Sequence, residues 1–337
     1  MSTASATTPA GNARRLIATA TLVPLLAALA LWAFAWPAAR TAPRDLPLGI
    51  AGPAAATAQV ERQLAAHEGA FEIHHYADEA AARDAIEDRT VYGAVVVTAE
   101  GPELLTASAA SPVVAQLLQQ AVAAPAAADG TQVRTVDVVA APAKDPRGAA
   151  LNAGVLPLAL AGIAAGAVVT SVGLRGTRAV AALAGASALV GAAAAGIMDT
   201  WLGVVTGDWW AEAGVFGLAT LAVSGTVAGL AACLGTAGIG VASGVIMLLG
   251  NPFSGAPSAP QMLPEPVGAI GQWLPPGASA TLLRSVAYFD GAAASGPALT
   301  LAWWAALGLA AVLLGNALRA RAKSTEPAAE RELVPAG

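Results

Sequence analysis

Lysine is nearly missing from this chain: two occur in 337 residues, Lys144 and Lys323. Charged residues of every kind make up only 12%, and the net charge is −5. A nucleic-acid surface needs clustered lysine and arginine, so no nucleic-acid partner is expected. The single cysteine, Cys233, can close no disulfide within the chain. Set in an apolar run, it reads as a small core residue. The three histidines are His67, His74 and His75. His74 and His75 are neighbours on an expected strand, where successive side chains point to opposite faces. They cannot share one metal ion, and all three read as surface residues. Catalytic signatures are also missing. Neither lysine closes a G-x-x-x-x-G-K-[ST] phosphate loop, and no G-x-S-x-G or H-E-x-x-H run occurs. The chain is expected to carry no catalytic residue, no cofactor site and no metal site, and not to be an enzyme.

What it does have is apolar sequence. Hydrophobic residues make up 56%, and the mean hydropathy is +0.62. Several windows exceed the roughly 18 apolar residues that mark a membrane span. Arg14 and Arg15 precede the run Leu16 to Trp36. Ala33-Phe34-Ala35 fits a signal-peptide cleavage pattern, but a signal core is about 7–15 residues. The longer run favours an uncleaved span at 16–36 behind a short polar start. Leu151 to Leu174 and Ala179 to Met198 follow as spans, joined by a turn with Arg175 and Arg178. Ala213 to Gly250 holds 38 residues without a charge. One helix of that length would measure about 57 Å, nearly twice the hydrocarbon core. Two spans with a turn at Gly235 to Gly238 fit better. Ala298 to Leu318 is the last of six expected spans.

The spans read as free of acids, histidines and lysines. Ion-coupled transporters usually need such groups as relays, so self-powered antiport is disfavoured. Asp199, Asp208 and Glu212 fall in a tryptophan-rich loop and read as solvated charges. Three G-x-x-x-G spacings, Gly162/Gly166, Gly225/Gly229 and Gly240/Gly244, suit close helix packing.

Residues 41–147 differ in kind. Between Arg40 and Arg147 lie fourteen acids and eight basic residues. Short strands are expected at Leu46 to Ala51, Phe71 to Tyr76, Val91 to Thr98, Leu104 to Ser108 and Gln132 to Ala140. Helices are expected from Ala54 to Glu68, from Asp78 to Asp88, and from Ser111-Pro112 to Ala124. Asp78 and Ser111 are natural caps. The alternation reads as a compact α/β domain.

Orientation follows from two patterns. With the N-terminus inside, Arg14, Arg15, Arg175, Arg178, Arg319, Arg321 and Lys323 flank the inner side, although Arg40 and Arg44 follow the first span. All eight tryptophans then fall toward the other side, as an interfacial belt would. This places residues 1–15 and the tail 319–337 in the cytoplasm and the α/β domain outside. Localisation is the plasma (cytoplasmic) membrane, multi-pass.

The segment 251–297 breaks the apolar pattern. Pro264 to Trp273 suits a short helix with Val267, Ile270 and Trp273 on one side. Pro275, Pro276 and Gly277 read as a corner. Ser279 reads as the cap of a second helix bearing Leu282, Leu283, Val286 and Phe289. Two amphipathic helices at the outer interface could form a re-entrant lid over the bundle. Its residues would be Trp273, Pro275, Pro276, Gly277, Arg284, Tyr288 and Phe289. Arg284 and Asp290 are expected to stay polar, with Arg284 reaching headgroups, Asp290 or helix-end carbonyls.

The order Asn251-Pro252-Phe253-Ser254-Gly255, then Trp273-Leu274-Pro275-Pro276-Gly277-Ala278, then Leu283-Arg284-Ser285 and Tyr288-Phe289 resembles the C-terminal part of phage-infection-protein (Pip)-like membrane proteins. These belong with the ABC-2 type permeases. Val91-Tyr92-Gly93-Ala94 and Asp145-Pro146-Arg147-Gly148 resemble the same group, as does the layout of one span, a large outer domain and a five-helix membrane domain at 151–318. The resemblance implies a membrane permease subunit in lipid, a homodimer, that exports a hydrophobic or amphipathic compound. Lacking a nucleotide site, the chain would need a separate ATPase subunit. The alternative is a cell-envelope receptor or scaffold whose outer domain binds a ligand or envelope polymer.

Overall fold

The structure is a computed structural model that describes residues 9–123, 126, 130 and 132–324. The polar start at 1–8 and the tail at 325–337 lie outside the described residues. So do the side chains of Arg319, Arg321 and Lys323.

The chain enters through one long helix, α1 (Pro9–Ala39). It then builds a five-stranded sheet from β1 (Leu46–Ala51), β2 (Phe71–Tyr76), β3 (Gly93–Thr98), β4 (Gly101–Thr106) and β5 (Arg134–Asp137). The spatial order is β2-β1-β3-β4-β5. Only β3 and β4 run antiparallel, as a hairpin with Val95 opposite Leu104. The strand signals for β1 and β2 fall on the observed residues. β4 starts three residues earlier than expected because its Gly101-Pro102 start pairs with Thr98 and Val97 across the turn. Helices α2 (Ala54–Ala65), α3 (Glu79–Glu87) and α4 (Pro112–Leu118) cover the sheet. Asp78 and Ser111 cap as expected: their side chains accept from Ala81 N and Val114 N.

The remaining long helices are α5 (Ala149–Ser171), α6 (Gly176–Ala195) and α7 (Trp209–Leu234). A short helix α8 (Thr236–Gly244) continues as a π turn to Gly250. After α9 (Val267–Gln272) and α10 (Pro275–Tyr288), α11 (Ser295–Ser324) completes the set. Among the described residues, five helices are long and apolar enough to cross a membrane: α1, α5, α6 with its extension, α7 and α11. The break at Gly235 is present, with φ 68° and ψ −148°, a conformation suited to glycine. The second half of the apolar run is shorter than a span. Thr236–Gly250 rises about 22 Å, against a hydrocarbon core of about 30 Å. The run's other half is longer than expected. Asp208 accepts from Ala211 N at 2.8 Å and starts α7 four residues before the apolar stretch begins.

That early start corrects two expectations. Glu212 is not a solvated loop charge but a first-turn residue of α7 with no exposure. The helix set is therefore not free of acids. Cys233 is the reverse case: it is exposed in the last turn of α7. An apolar run does not say which of its faces meets a neighbour.

Helix α7 is the centre of the bundle, packed by α5, α6 and α11. Missing side chains make this possible. A Cβ on Gly308 of α11 would meet Gly225 C at 2.3 Å, and one on Gly166 of α5 would meet Ser224 O at 2.7 Å. Two of the three G-x-x-x-G pairs thus serve packing within the bundle. Gly240 and Gly244 meet no atom within 4 Å.

Candidate functional site

Helix α10 joins the bundle to the sheet, and the reason lies in its two apolar faces. Ala278, Leu282, Leu283 and Ala287 pack into the bundle core with Phe216 of α7 and Leu301 of α11. Phe289, just past its end, enters the core on one face of the sheet with Ile86 and Leu105. On the other face, Ala259 and Met262 of the preceding loop join Leu48, Val95 and Leu104. Segment 251–294 therefore contributes to both sheet cores and to the bundle core.

Several expectations for this segment change. On α9, Val267, Gly268 and Gly271 are covered, while Ile270 and Trp273 are exposed. Pro275 and Pro276 begin α10 rather than break it, since proline fits the first helical turn. Gly277 lies inside that turn and is not among the positive-φ glycines. Its lack of a Cβ serves proximity instead: a Cβ there would meet Gly271 O at 2.2 Å. Leu274 holds the cap position expected for Ser279, whose hydroxyl donates to Pro275 O within the helix. Tyr288 donates to Val204 O at 2.6 Å. Trp273 acts through its backbone, accepting from Trp304 Nε1 at 2.7 Å.

Arg284 is the largest correction. It is 6% exposed, and its hydrogen bonds go to protein groups other than Asp290. Its Nη2 donates to Asn152 Oδ1 on α5 at 3.4 Å and to Ala256 O. Burial pushes the guanidinium down to about 10. Arg89, which carried no sequence signal beyond a polar loop, comes to the same place. It holds φ 60° after α3, and its Nη1 donates to Thr281 O at 2.9 Å and to Ser285 Oγ on α10. Its guanidinium stands 5.1 Å from the centre of the Phe289 ring.

Between these groups and the sheet lies a cavity of about 540 Å³. Arg44, Arg89, Tyr92, Gln261, Gln272 and Arg284 give it a polar wall. Gln272 braces it, donating to Ser254 O at 3.0 Å and accepting from Thr281 Oγ1 at 2.6 Å. Tyr92 donates to Gln261 Oε1 at 2.9 Å. Of the residues expected to form the lid, only Arg284 lines this cavity. Pro276 instead lines a small apolar pocket against α5 and α7.

Two further buried acids explain local structure. Asp145 accepts from the backbone N–H groups of Ala149, Ala150 and Leu151 at 2.8, 2.9 and 3.2 Å, which satisfies the start of α5. This accounts for Asp145-Pro146-Arg147-Gly148 physically, with Gly148 at φ 63°. Glu212 Oε1 accepts from Gly207 N at 2.8 Å, while its Oε2 is buried without a partner. Asp208, a cap residue four positions earlier, was the sequence signal that could have placed Glu212 inside the helix instead of in a loop. Among the described residues, no group of three or more His, Cys, Asp or Glu is placed to hold a metal ion.

Residues 14–136 match the family model described as ABC-2 family transporter protein. Over α1 and the sheet, this chain is similar to the ABC-2 permeases. The family resemblance holds at that level, and the narrower likeness to Pip-like members is finer than the match. ABC-2 permeases are transport subunits of the membrane, working with a separate ATPase. That likeness, with the five long apolar helices among the described residues, supports a multi-pass membrane protein similar to a permease subunit. No curated protein and no solved structure matches it.

Proposed function

We propose that this chain is the membrane subunit of an ABC-2-type exporter for hydrophobic or amphipathic compounds. It pairs with a second copy and with an ATPase subunit. The observation that carries the reading is the position of the cavity. One helix, α10, is both a wall of that polar chamber and part of the apolar bundle core. A compound leaving the bundle at this end meets a chamber suited to its polar part. The family match does not favour the receptor or scaffold alternative.

In this reading the sheet lies outside, residues 41–147 are the outer domain, and both termini are cytoplasmic. The motive is the distribution of side chains. Trp32, Trp36, Trp201, Trp209, Trp210, Trp273, Trp303 and Trp304 belong to the sheet-side ends of their segments, while Arg14, Arg15, Arg175 and Arg178 belong to the opposite ends. Segment 251–297 serves as a fixed outer plug, with α10 as its anchor.

Two measurements test this. In a Cys233→Ser background, a cysteine at the exposed Ala99 between β3 and β4 should react with a membrane-impermeant maleimide in whole cells. Labelling only after lysis reverses the topology. Cells producing the chain together with the ATPase of a neighbouring reading frame should expel an amphipathic fluorescent compound faster than cells lacking the chain. Equal rates across a panel of such compounds sink the export reading.

A further inference from the structure

The charge of the cavity is unbalanced. Arg44, Arg89 and Arg284 line it, with only Asp45 and Glu265 as acids. Both acids are exposed, and among the described residues neither forms an ion pair with these arginines. Arg44 is occupied. Its Nη1 donates to Ala42 O and Met262 O at 2.9 and 3.2 Å, and its Nη2 to Arg40 O at 2.8 Å.

Arg89 and Arg284 are not. Each spends one terminal nitrogen on protein acceptors, which leaves its Nε and its other terminal nitrogen without one among the described residues. These nitrogens are not sealed off, because the one sealed, unpartnered side-chain atom among the described residues is Glu212 Oε2. Both residues line the cavity, and Arg284 also borders a much smaller pocket with Tyr288. A guanidinium taken out of water without a counter-charge is costly. Burial lowers the pKa of both, and the charge of Arg89 pushes Arg284 further down. An oxyanion between the two would remove that cost, since the planar fork of arginine matches phosphate and carboxylate oxygens two at a time.

We propose that this cavity binds the phosphate-type oxyanion of an amphipathic ligand, held by the free Nε/Nη2 fork of Arg89 with Arg284 as a second, single-donor cation beside it. Its volume of about 540 Å³ falls in the range of small-molecule sites, about 300–1,000 Å³. A phosphate ion alone would leave most of it empty. Pro47, Ala259 and Leu263 add apolar wall for the body of the ligand. The proposal names the substrate class of the export reading and rests on that reading for transport, but the binding claim stands apart from it.

The test uses the full chain purified in detergent, with binding followed by calorimetry. The probes are glycerol 3-phosphate, dihexanoyl phosphatidic acid and, as a control without phosphate, dihexanoylglycerol. The phosphate-bearing probes should bind and the control should not. Binding of phosphatidic acid alone identifies a lipid headgroup as the source, whereas equal binding of both identifies a soluble phosphate ester. Arg89→Lys keeps the charge but loses the free fork, Arg284→Lys keeps the charge but moves the donor, and each should weaken binding about tenfold or more, the usual scale for charge-assisted hydrogen bonds. A melting curve checks the fold of each variant. If Arg284→Lys does not fold, Arg89→Lys alone decides, because Arg89 is only half-buried. Failure of both phosphate probes to bind, binding of the control as tightly as phosphatidic acid, or unchanged affinity in the folded variants overturns the proposal. Binding without export would leave this site standing and remove the export reading; export without binding would do the opposite.

Discussion

Helices α1 and α7 are equally good membrane spans by composition and have opposite fates in the fold. Their mean hydropathies are 2.1 and 1.8, yet 6% of the apolar window of α1 is buried against 78% of that of α7. Hydropathy measures the preference for lipid over water, and it is blind to the choice between lipid and another helix. That choice depends on how closely backbones can approach. From Leu16 to Ala39 α1 has no glycine, whereas α7 carries Gly214, Gly217, Gly225 and Gly229. α7 also faces Gly162 and Gly166 of α5, Gly191 of α6 and Gly308 of α11. The central helix is the one that neighbours can touch at the backbone. Helix α1 meets the rest mainly near its end, where Trp36 packs beside Phe253, Leu263 and Val267.

The sharpest way to break this contrast is to give the central contact a side chain. Gly308→Val drives carbon into Gly225 and should cost about 3 kcal/mol or more, at the upper end for overpacking. The readout is the melting temperature in detergent and the yield of monodisperse protein. Gly240→Val is the control, because a Cβ there meets nothing within 4 Å. If it also unfolds the chain, steric approach is not what sets the centre. If it leaves the fold intact but halves the dimer fraction, the open Gly240/Gly244 face is where two copies meet.

The junction of α9 and α10 offers the next largest effect. Gly277→Ala puts a methyl group 2.2 Å from Gly271 O, and a backbone acceptor between two helices has little room to yield. The expected loss is about 1–3 kcal/mol, together with weaker binding of the phosphate probes, because α10 carries Arg284. A substitution without effect on melting would mean that the two helices separate readily.

These sites also show where sequence reasoning stops. β1, β2 and the caps at Asp78 and Ser111 were legible because their causes are local: alternation, β-branched residues, and a side-chain oxygen three residues before a free N–H. The glycine break in the long apolar run was legible for the same reason. Arg284 was misplaced because what buries it is remote in sequence, whereas Glu212 and Gly277 had nearby signals, the cap at Asp208 and the close approach to Gly271. Arg284 meets Asn152, 132 residues away, and Arg89 meets Ser285, 196 away. No window of sequence contains both partners, so the cavity they share could not be read before the fold.

Glu212 provides a smaller test of the α7 environment. Only Oε1 has a partner, Gly207 N, and Oε2 is buried without one. Glu212→Gln keeps an acceptor for Gly207 and removes a buried charge, so stability should change by less than about 1 kcal/mol. Glu212→Ala strands the Gly207 N–H and should cost about 1–3 kcal/mol. If glutamine destabilises as much as alanine, the carboxylate charge itself is needed, and an unseen cation or proton partner must be sought.

The smallest expected effect falls on the tryptophans at the sheet-side ends. Trp273 is 74% exposed; its backbone carbonyl accepts from Trp304 Nε1 at 2.7 Å and its N–H donates to Ile270 O at 3.1 Å. Trp273→Ala keeps that carbonyl and should change stability in detergent by less than about 0.5 kcal/mol, as for other exposed sites. Trp304→Phe keeps an aromatic ring, though a smaller one, and loses the donor, and should cost about 1 kcal/mol or somewhat more. The order Trp304→Phe above Trp273→Ala therefore reports whether α11 is held to segment 251–294 by this hydrogen bond. The opposite order would show that the indole of Trp273, not its carbonyl, makes the contact. A lipid bilayer sharpens the comparison further. If Trp273 anchors at an interface, its replacement should cost more in nanodiscs than in detergent, whereas the cost of Trp304→Phe should be the same in both.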